Sequence, residues 1–393
     1  MPPKDEKLGC QSLSLDILSN LPGEITDAIL IRLPLRDAMR TSILSNLIYF
    51  LSRNNIQHLV LRLWSVNRYK LPSSLFKCVQ LRHLTLQHCF IIPPPSFKGF
   101  DRLISLELRS VTVSAKLLES LISNCSLLEL LVLAHLEFSD VIEIKAAMLR
   151  YFDFSGSIRY ICLKNMPLLA NISLMDSGTS ANIGKCNIAK FFEPFSALEH
   201  LHLNGNSLKF FAAGGVPIQL PFYLNTDKSL NLSRIYLEEW DVTSCTLCLI
   251  RSFPYLQYLE SEVYVYDEDI PALECLEVEG FSSVTLLEVK LEGDLATKPG
   301  MQFIKLLLAK STALLRMLIK HWINDDDPLP LSEVLHRTNH MLIVVNAFPR
   351  ASPKAEVIFD IQYRSGRDIL KYKHDEAGSY ELRSLSSLSR IES

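Results

Sequence analysis

One six-residue pattern governs what this chain can fold into: L-x-x-L-x-L, with Ile, Val or Phe substituting for Leu. It appears as IQHLVL from Ile56, LRHLTL from Leu81, LISLEL from Leu103 and LELLVL from Leu128. It continues as LRYFDF from Leu149, IRYICL from Ile158, LANISL from Leu169 and LEHLHL from Leu198. Later copies are LSRIYL from Leu232, a weaker LQYLES from Leu256, LECLEV from Leu273, VTLLEV from Val284 and LLRMLI from Leu314. The first five starts are 25, 22, 25 and 21 residues apart, a period that marks a repeat architecture. In a strand, successive side chains face opposite ways, so Leu84 and Leu86 point inward while Thr85 points out. A lone strand cannot bury its inner face; stacking successive strands in parallel builds a continuous core.

Between strands the chain returns on the far side, and several returns read as helices. In SAKLLESLISNC, Ser114 stands at the cap position while Leu117, Leu118, Leu121 and Ile122 share one face. FIKLLLAKSTALLRMLIKH reads as a helix carrying Phe303, Leu306 and Leu307, followed by one more strand. After a polar linker, 324–330, the stretch ASPKAEVIFD reads as a final strand over 355–359. Beyond Arg364 the chain is polar and reads as a flexible tail.

Apolar residues make up 48% of the 393 and charged residues 21%, enough for a well-buried core. The formal net charge of −3 favours neither nucleic acid nor membrane as a partner. It conceals an asymmetry. Between Arg40 and Ser120 there are eleven Lys and Arg against three Asp and Glu; between Leu256 and Asp294 there are eleven acids against the single Lys290. No stretch of 18 apolar residues runs without charge. Charges stand near the N-terminus where a secretory signal needs an apolar run. The nine cysteines are odd in number, scattered and framed like core residues, which points to a reducing compartment. Without export, the sequons at Asn124, Asn171 and Asn231 are chance matches, and the expected location is cytosol or nucleus.

No cofactor or metal is expected. Cys245-x-x-Cys248 has no second pair at zinc-finger spacing, and Cys248 precedes its strand as Cys125 does, which assigns both to the core. His200 and His202 alternate with Leu201 and Leu203, so both imidazoles fall on the outward face of a strand. No glycine-rich phosphate loop is present, nor a nucleophile framed by base and orienting acid. A non-catalytic protein is expected.

The N-terminal stretch LPGEITDAILIRLPLRDAMRTSILSN reads as two short helices. Pro22 suits the first turn, Ile25, Ala28, Ile29 and Leu33 form an apolar stripe, Pro34 ends the helix, and Asp37 begins another. So small a module needs a partner to bury its stripe.

With its Leu-Pro-x-Glu-Ile opening and its Leu-Pro-x-Arg-Asp-Ala-x-Arg-Thr-Ser-x-Leu-Ser continuation, the stretch resembles the F-box of plant F-box/leucine-rich-repeat proteins. LPSSLFKCVQLRHLTLQHC, PPPSFKGFDRLISLELRSVTV and LLESLISNCSLLELLVL resemble the repeats of that family. FIKLLLAKSTALLRMLIK followed by ASPKAEVIFD is similar to its FBD module. The implied fold is α/β: a leucine-rich-repeat solenoid with a small helical F-box and a C-terminal FBD-like module. The expected division is a flexible N-terminus (1–14), F-box-like module (15–50), repeats (51–283), FBD-like module (284–360) and flexible tail (361–393).

The resemblance implies a substrate receptor of an SCF-type ubiquitin ligase. Its F-box would dock a Skp-type adaptor, and through it cullin, by Leu21, Pro22, Ile25, Ile29, Leu33, Pro34 and Asp37; its repeats would bind an unknown protein target. After Ser45, however, NLIYFLSRNNIQHLVLRLW replaces the family's basic-Trp-Arg-Tyr segment, although Leu44, Leu47, Ile48 and Leu51 keep helical spacing. A second reading therefore stands beside the first: a non-catalytic leucine-rich-repeat scaffold with a vestigial F-box. For the target-binding face, the strand alternation singles out Tyr236, Glu238, Tyr258, Glu260, Glu262, Glu277, Glu279 and Glu288. Their acidity suits a basic ligand, and aromatics are enriched at interfaces.

Overall fold

The computed structural model describes residues 48–63, 69–136, 138, 140–177, 186–224, 228–265, 284–324 and 331–364. The chain divides into two units, Met1–Leu169 and Ala170–Ser393. The predicted F-box residues Leu21, Pro22, Ile25, Ile29, Leu33, Pro34 and Asp37 lie outside the described residues, as do Glu277, Glu279 and the copy at Leu273.

In the first unit, β1 (His58–Arg62), β3 (His83–Gln87), β5 (Ser105–Arg109), β6 (Leu130–Ala134) and β8 (Tyr151–Gly156) pair in that order, all parallel. The register aligns the repeat. Leu59, Leu84, Leu106, Leu131 and Phe152 form one inner row, and Leu61, Leu86, Leu108, Leu133 and Phe154 the next; all are buried. Strands β2 (Tyr69–Lys70) and β4 (Cys89–Phe90) make a separate pair, as do β7 (Ile142–Lys145) and β9 (Ile161–Lys164). The copy at Ile158 thus forms a strand, but one that joins β7 rather than the main sheet. That explains its half-period spacing.

Three strands of this sheet are each followed at once by a residue at positive φ: His88 at 55°, Ser110 at 50° and His135 at 53°. Each N–H still reaches the next strand, to the carbonyls of Arg109 (3.1 Å), Ala134 (2.8 Å) and Ser155 (2.8 Å). A non-glycine residue in this region costs about 1 kcal/mol, and the extra ladder bond offsets part of it. Helix α1 (Ala115–Ser123) buries Leu118, Leu121 and Ile122 as expected, with Leu117 half-buried. Ser114 holds the cap position, yet its side chain makes no capping bond. Upstream, Ile48 and Leu51 of the helical turn over 48–51 are buried.

In the second unit, β10 (Asn171–Asp176), β11 (His200–Asn204), β12 (Ser229–Tyr236), β13 (Tyr258–Tyr264), β14 (Glu288–Gly293), β15 (Arg316–Asn324) and β16 (Glu356–Arg364) pair in sequence order, again all parallel. One inner row runs Ile172, Leu201, Leu230, Leu259, Val289, Met317, Val357; the next runs Leu174, Leu203, Leu232, Ser261, Leu291, Ile319, Phe359. Ser261 explains the weak copy at Leu256: a fully buried serine occupies a leucine position, its hydroxyl without a hydrogen-bond partner among the described residues.

Two copies depart from their expected frame, that at Val284 by two residues and that at Leu232 by five. Val289 and Leu291, rather than Leu287 and Val289, align with the neighbouring strands. In β12 the aligned leucines are Leu230 and Leu232, followed by a bulge before Ile235 in which Arg234 takes φ 53°. A two-residue slip leaves every side chain on its face, and in β12 the extra residue of the bulge restores the alternation across an odd offset, so the inward and outward assignments survive.

The short helices α2 (Ile188–Phe192) and α3 (Gly205–Ala212) and the longer α4 (Trp240–Ser252) are returns of this unit. Cys245 and Cys248 lie buried on α4; burial pushes the Cys245 thiol well up and the Cys248 thiol to about 11. Both therefore serve the core as inert thiols. Helix α5 (Lys298–Lys310) starts at Thr297, whose hydroxyl accepts the Gly300 N–H, and buries Phe303, Leu306 and Leu307.

Helix α6 (Leu331–Ala347), absent from the sequence expectation, follows the linker and buries Val334, Thr338, Met341 and Val345. It is stapled by His321 of β15. That imidazole accepts the Leu295 N–H at Nδ1 (3.2 Å) and contacts Thr338 Oγ1 through Nε2 (3.2 Å), while Thr338 donates to the Val334 carbonyl (2.9 Å). This arrangement requires the neutral Nε2–H tautomer. Strand β16 runs on to Arg364, past the stretch expected to end at Phe359.

Candidate functional site: the outward face of the second sheet

Because register partners stand side by side, the outward residues of the second unit fall into rows across its strands. One row reads Ser173, His202, Asn231, Glu260, Lys290, Leu318. Along it, His202 lies between hydroxyls, with Nδ1 3.4 Å from Ser173 Oγ and Nε2 3.2 Å from Ser233 Oγ. Half-buried there, its pKa is lowered by desolvation, against a smaller opposing pull from Glu260. Asn231 donates to Glu260 (3.1 Å), and Lys290 pairs with Glu260 and with Glu292 (3.6 Å). Burial alone would lower the Lys290 pKa, but its bond to Glu260 and the charges of Glu260 and Glu292 outweigh that and raise it.

The neighbouring rows carry the aromatic residues. Tyr258 stands 45% exposed between Ser229 and Glu288, and Arg316 lies 3.9 Å from Glu288. At the far end of the strands Tyr236 and Tyr264 are register partners with ring centroids 5.7 Å apart. Tyr264 also meets Trp322 edge-on at 5.4 Å and donates its hydroxyl to Glu262 (2.9 Å). Glu262 further accepts the Arg234 N–H (3.2 Å), which the β12 bulge turns toward it. Lys209 of α3 lies 5.7 Å over the Tyr236 ring.

The structure thus brings Tyr236, Tyr258, Glu260, Glu262 and Glu288 onto one face. Glu238 is two residues past the end of β12 and belongs to the turn into α4. The acids are not stacked against each other without relief: the lysine and arginine of β14 and β15 are interleaved with them. Asn231, Tyr264, Lys290, Arg316 and Trp322 are members of this face that sequence reasoning did not single out.

A second buried network sets the edge of the face. Asn204 Oδ1 accepts the Ser207 N–H (2.9 Å) and the Asp176 N–H (3.1 Å), its Nδ2 donates to the Asp176 carbonyl (3.0 Å), and Ser207 donates to the Leu174 carbonyl (2.7 Å). One side chain thereby caps α3 and ties the ends of β10 and β11. Among the described residues no group of three His, Cys, Asp or Glu side chains is placed to hold a metal ion. Nor is any helix among them long and apolar enough to cross a membrane.

Parallel strands in repeat register, inner leucine rows and helical or irregular returns define a leucine-rich-repeat protein. Residues 44–260, more than half of the chain, match the family described as FBD-associated F-box protein At5g56370, LRR repeats. The chain belongs to this leucine-rich-repeat family of FBD-associated F-box proteins. The Arabidopsis thaliana F-box/FBD/LRR-repeat protein At1g13570 is 28% identical over 421 residues, covering 88% of this chain and 99% of that protein. The Leptospira interrogans LRR protein LIC12759 covers 80% of this chain and 98% of its own at 15% identity, with a TM-score of 0.24, too low to carry an argument.

Proposed function

We propose that the chain is the target-recognition subunit of an SCF-type ubiquitin ligase, docking a Skp-type adaptor through residues 15–48 and a protein target through its repeats. The observation that carries this reading is the similarity to F-box/FBD/LRR proteins over most of the chain, together with the F-box-like motif from Leu21. The adaptor-facing residues are Leu21, Pro22, Ile25, Ile29, Leu33, Pro34 and Asp37. Interface anchors of this kind cost about 2 kcal/mol or more on truncation, roughly a thirtyfold loss of affinity. Co-purification of the adaptor with the intact chain tests the reading. The Ile29→Ala/Leu33→Ala double variant is expected to lose most of the adaptor while the repeats stay folded; undiminished recovery would sink it.

One observation favours the plain scaffold with a vestigial F-box as the second reading. Ile48 and Leu51, which keep the spacing of a third F-box helix, are buried in the first unit, and the repeat match itself begins at residue 44. An adaptor that fails to bind the unaltered chain would decide for it.

The target is proposed to present a basic segment to Tyr236, Tyr258, Glu260, Glu262 and Glu288, with Glu277, Glu279 and Glu238 as further members. A labelled nona-arginine peptide serves as probe. The Glu260→Lys/Glu277→Lys/Glu279→Lys variant is expected to bind it more slowly and with weaker salt dependence. Unchanged capture at low ionic strength would reduce the acidic half to an inert surface.

A further inference from the structure

Between Asp37 and Asp101 the chain carries eight Lys and Arg and not one acidic residue. Strands β1 and β3 lie within this interval, so their outward face has no carboxylate of its own. The register with β5 arranges that face in rows. His58, His83 and Ser105 stand at the start of the strands, Val60, Thr85 and Glu107 in the middle, and Arg62, Gln87 and Arg109 at the end. The one acid in these rows, Glu107, lies 3.6 Å from Arg109 and is paired there. Arg62 is exposed, as is Arg82 immediately before β3, and neither has an ion-pair partner among the described residues. Exposed cations without a counter-charge leave a local positive potential that attracts anions.

A second feature lies at one end of the same face. The His58 and His83 rings stack, 7° from parallel with centroids 4.3 Å apart. Charging both rings of such a stack sets two like charges side by side, a cost that a bound anion offsets. His83 is held below its ordinary pKa, by desolvation first and then by the charges of His58 and Arg82. The other charged groups nearest the pair are Arg62 on β1 and the Glu107–Arg109 pair on β5.

We propose that this face receives an extended acidic peptide segment of a protein partner. One carboxylate meets His58, His83 and Arg82, and a second, four residues on, meets Arg62. Four residues of extended chain cover about 13 Å in the strand and in the ligand alike, so the two spacings match. Val60 and Thr85, both half-buried, form the uncharged floor between these anchors. Cationic anchors separated by a neutral floor suit carboxylates spaced along a peptide better than the closely spaced phosphates of a duplex. The inference concerns the first unit alone, and it is independent of adaptor docking and of the acidic face in the second unit.

Capture of a labelled octa-glutamate peptide by the full chain tests it. Arg62→Glu/Arg82→Glu is expected to weaken capture at least about tenfold at low ionic strength. Lys77→Glu/Lys354→Glu makes the same charge change at exposed residues off this face and should weaken it by less than about threefold. Glutamate side chains are ionised at both pH 6 and pH 8, and a bound carboxylate raises the pKa of an imidazole beside it. Capture should therefore tighten by at least about fivefold from pH 8 to pH 6, and His58→Gln/His83→Gln should flatten that dependence. No capture, an equal loss in the lysine control, or an unchanged pH slope in the histidine variant would each overturn the proposal. Tighter capture of a DNA duplex or of phosphatidylserine vesicles than of the peptide would overturn it too, and would assign the face to another class of ligand.

Discussion

Replacing Leu106, Leu131 or Leu201 by alanine is expected to destabilise the unit that holds it by about 2–5 kcal/mol. All three are no more than 1% exposed and occupy inner-row positions with a leucine, isoleucine or phenylalanine on either side. Each repeat contacts chiefly its neighbours, so a cavity in one layer weakens both interfaces it shares. Thr85 and Ser105 stand on the opposite face and are half-buried; alanine there should cost no more than about 0.5 kcal/mol. Thermal melts of the two sets decide the matter. Equal sensitivity would mean that the strand faces are misassigned.

Acidification is expected to weaken the second unit through His321. Desolvation holds its pKa at about 4, below the ordinary 6.5, despite the opposing pull of the Gly293 carbonyl, which favours a protonated ring. Between these values the unfolded chain takes up a proton that the folded chain refuses. Stability is therefore full above about pH 6.5 and falls as the pH drops toward 4, by about 3 kcal/mol in total. The staple that suffers joins the Leu295 N–H to Thr338 of α6. His202 is shifted in the same direction and adds to the trend. Urea midpoints at neutral and mildly acid pH, for the parent and for His321→Gln, make the test. The variant should lose stability at neutral pH but show a shallower acid dependence. An identical pH slope in both chains would remove His321 from the account.

The strand faces were legible because period 2 is robust to small errors. The copy at Val284 was framed two residues away from its register mates, and Glu288 still fell on the outward face; Tyr236 did so because the β12 bulge restores the alternation. The sheet to which a strand belongs was less legible. IRYICL carries the same spacing as the main copies, yet pairs with β7, a choice made by three-dimensional packing that no six-residue window contains. Helix α6 was missed because its buried stripe, Val334, Thr338, Met341 and Val345, includes a threonine and is flanked by exposed Leu335 and Ile343. That pattern blurs the contrast on which helical periodicity depends. The pairing of Glu260 with Lys290 was hidden for another reason: a 30-residue separation carries no local signal until the repeat register is known.

The parallel register has a mechanical consequence. Among the described residues every main-sheet pairing within a unit joins neighbours in repeat order, such as His58 with His83, 25 residues on. Tension applied to the ends of such a unit therefore meets no clamp that bridges distant parts of the chain. The stack should yield strand by strand from a terminus, each step releasing roughly 80–90 Å of slack for a 25-residue repeat.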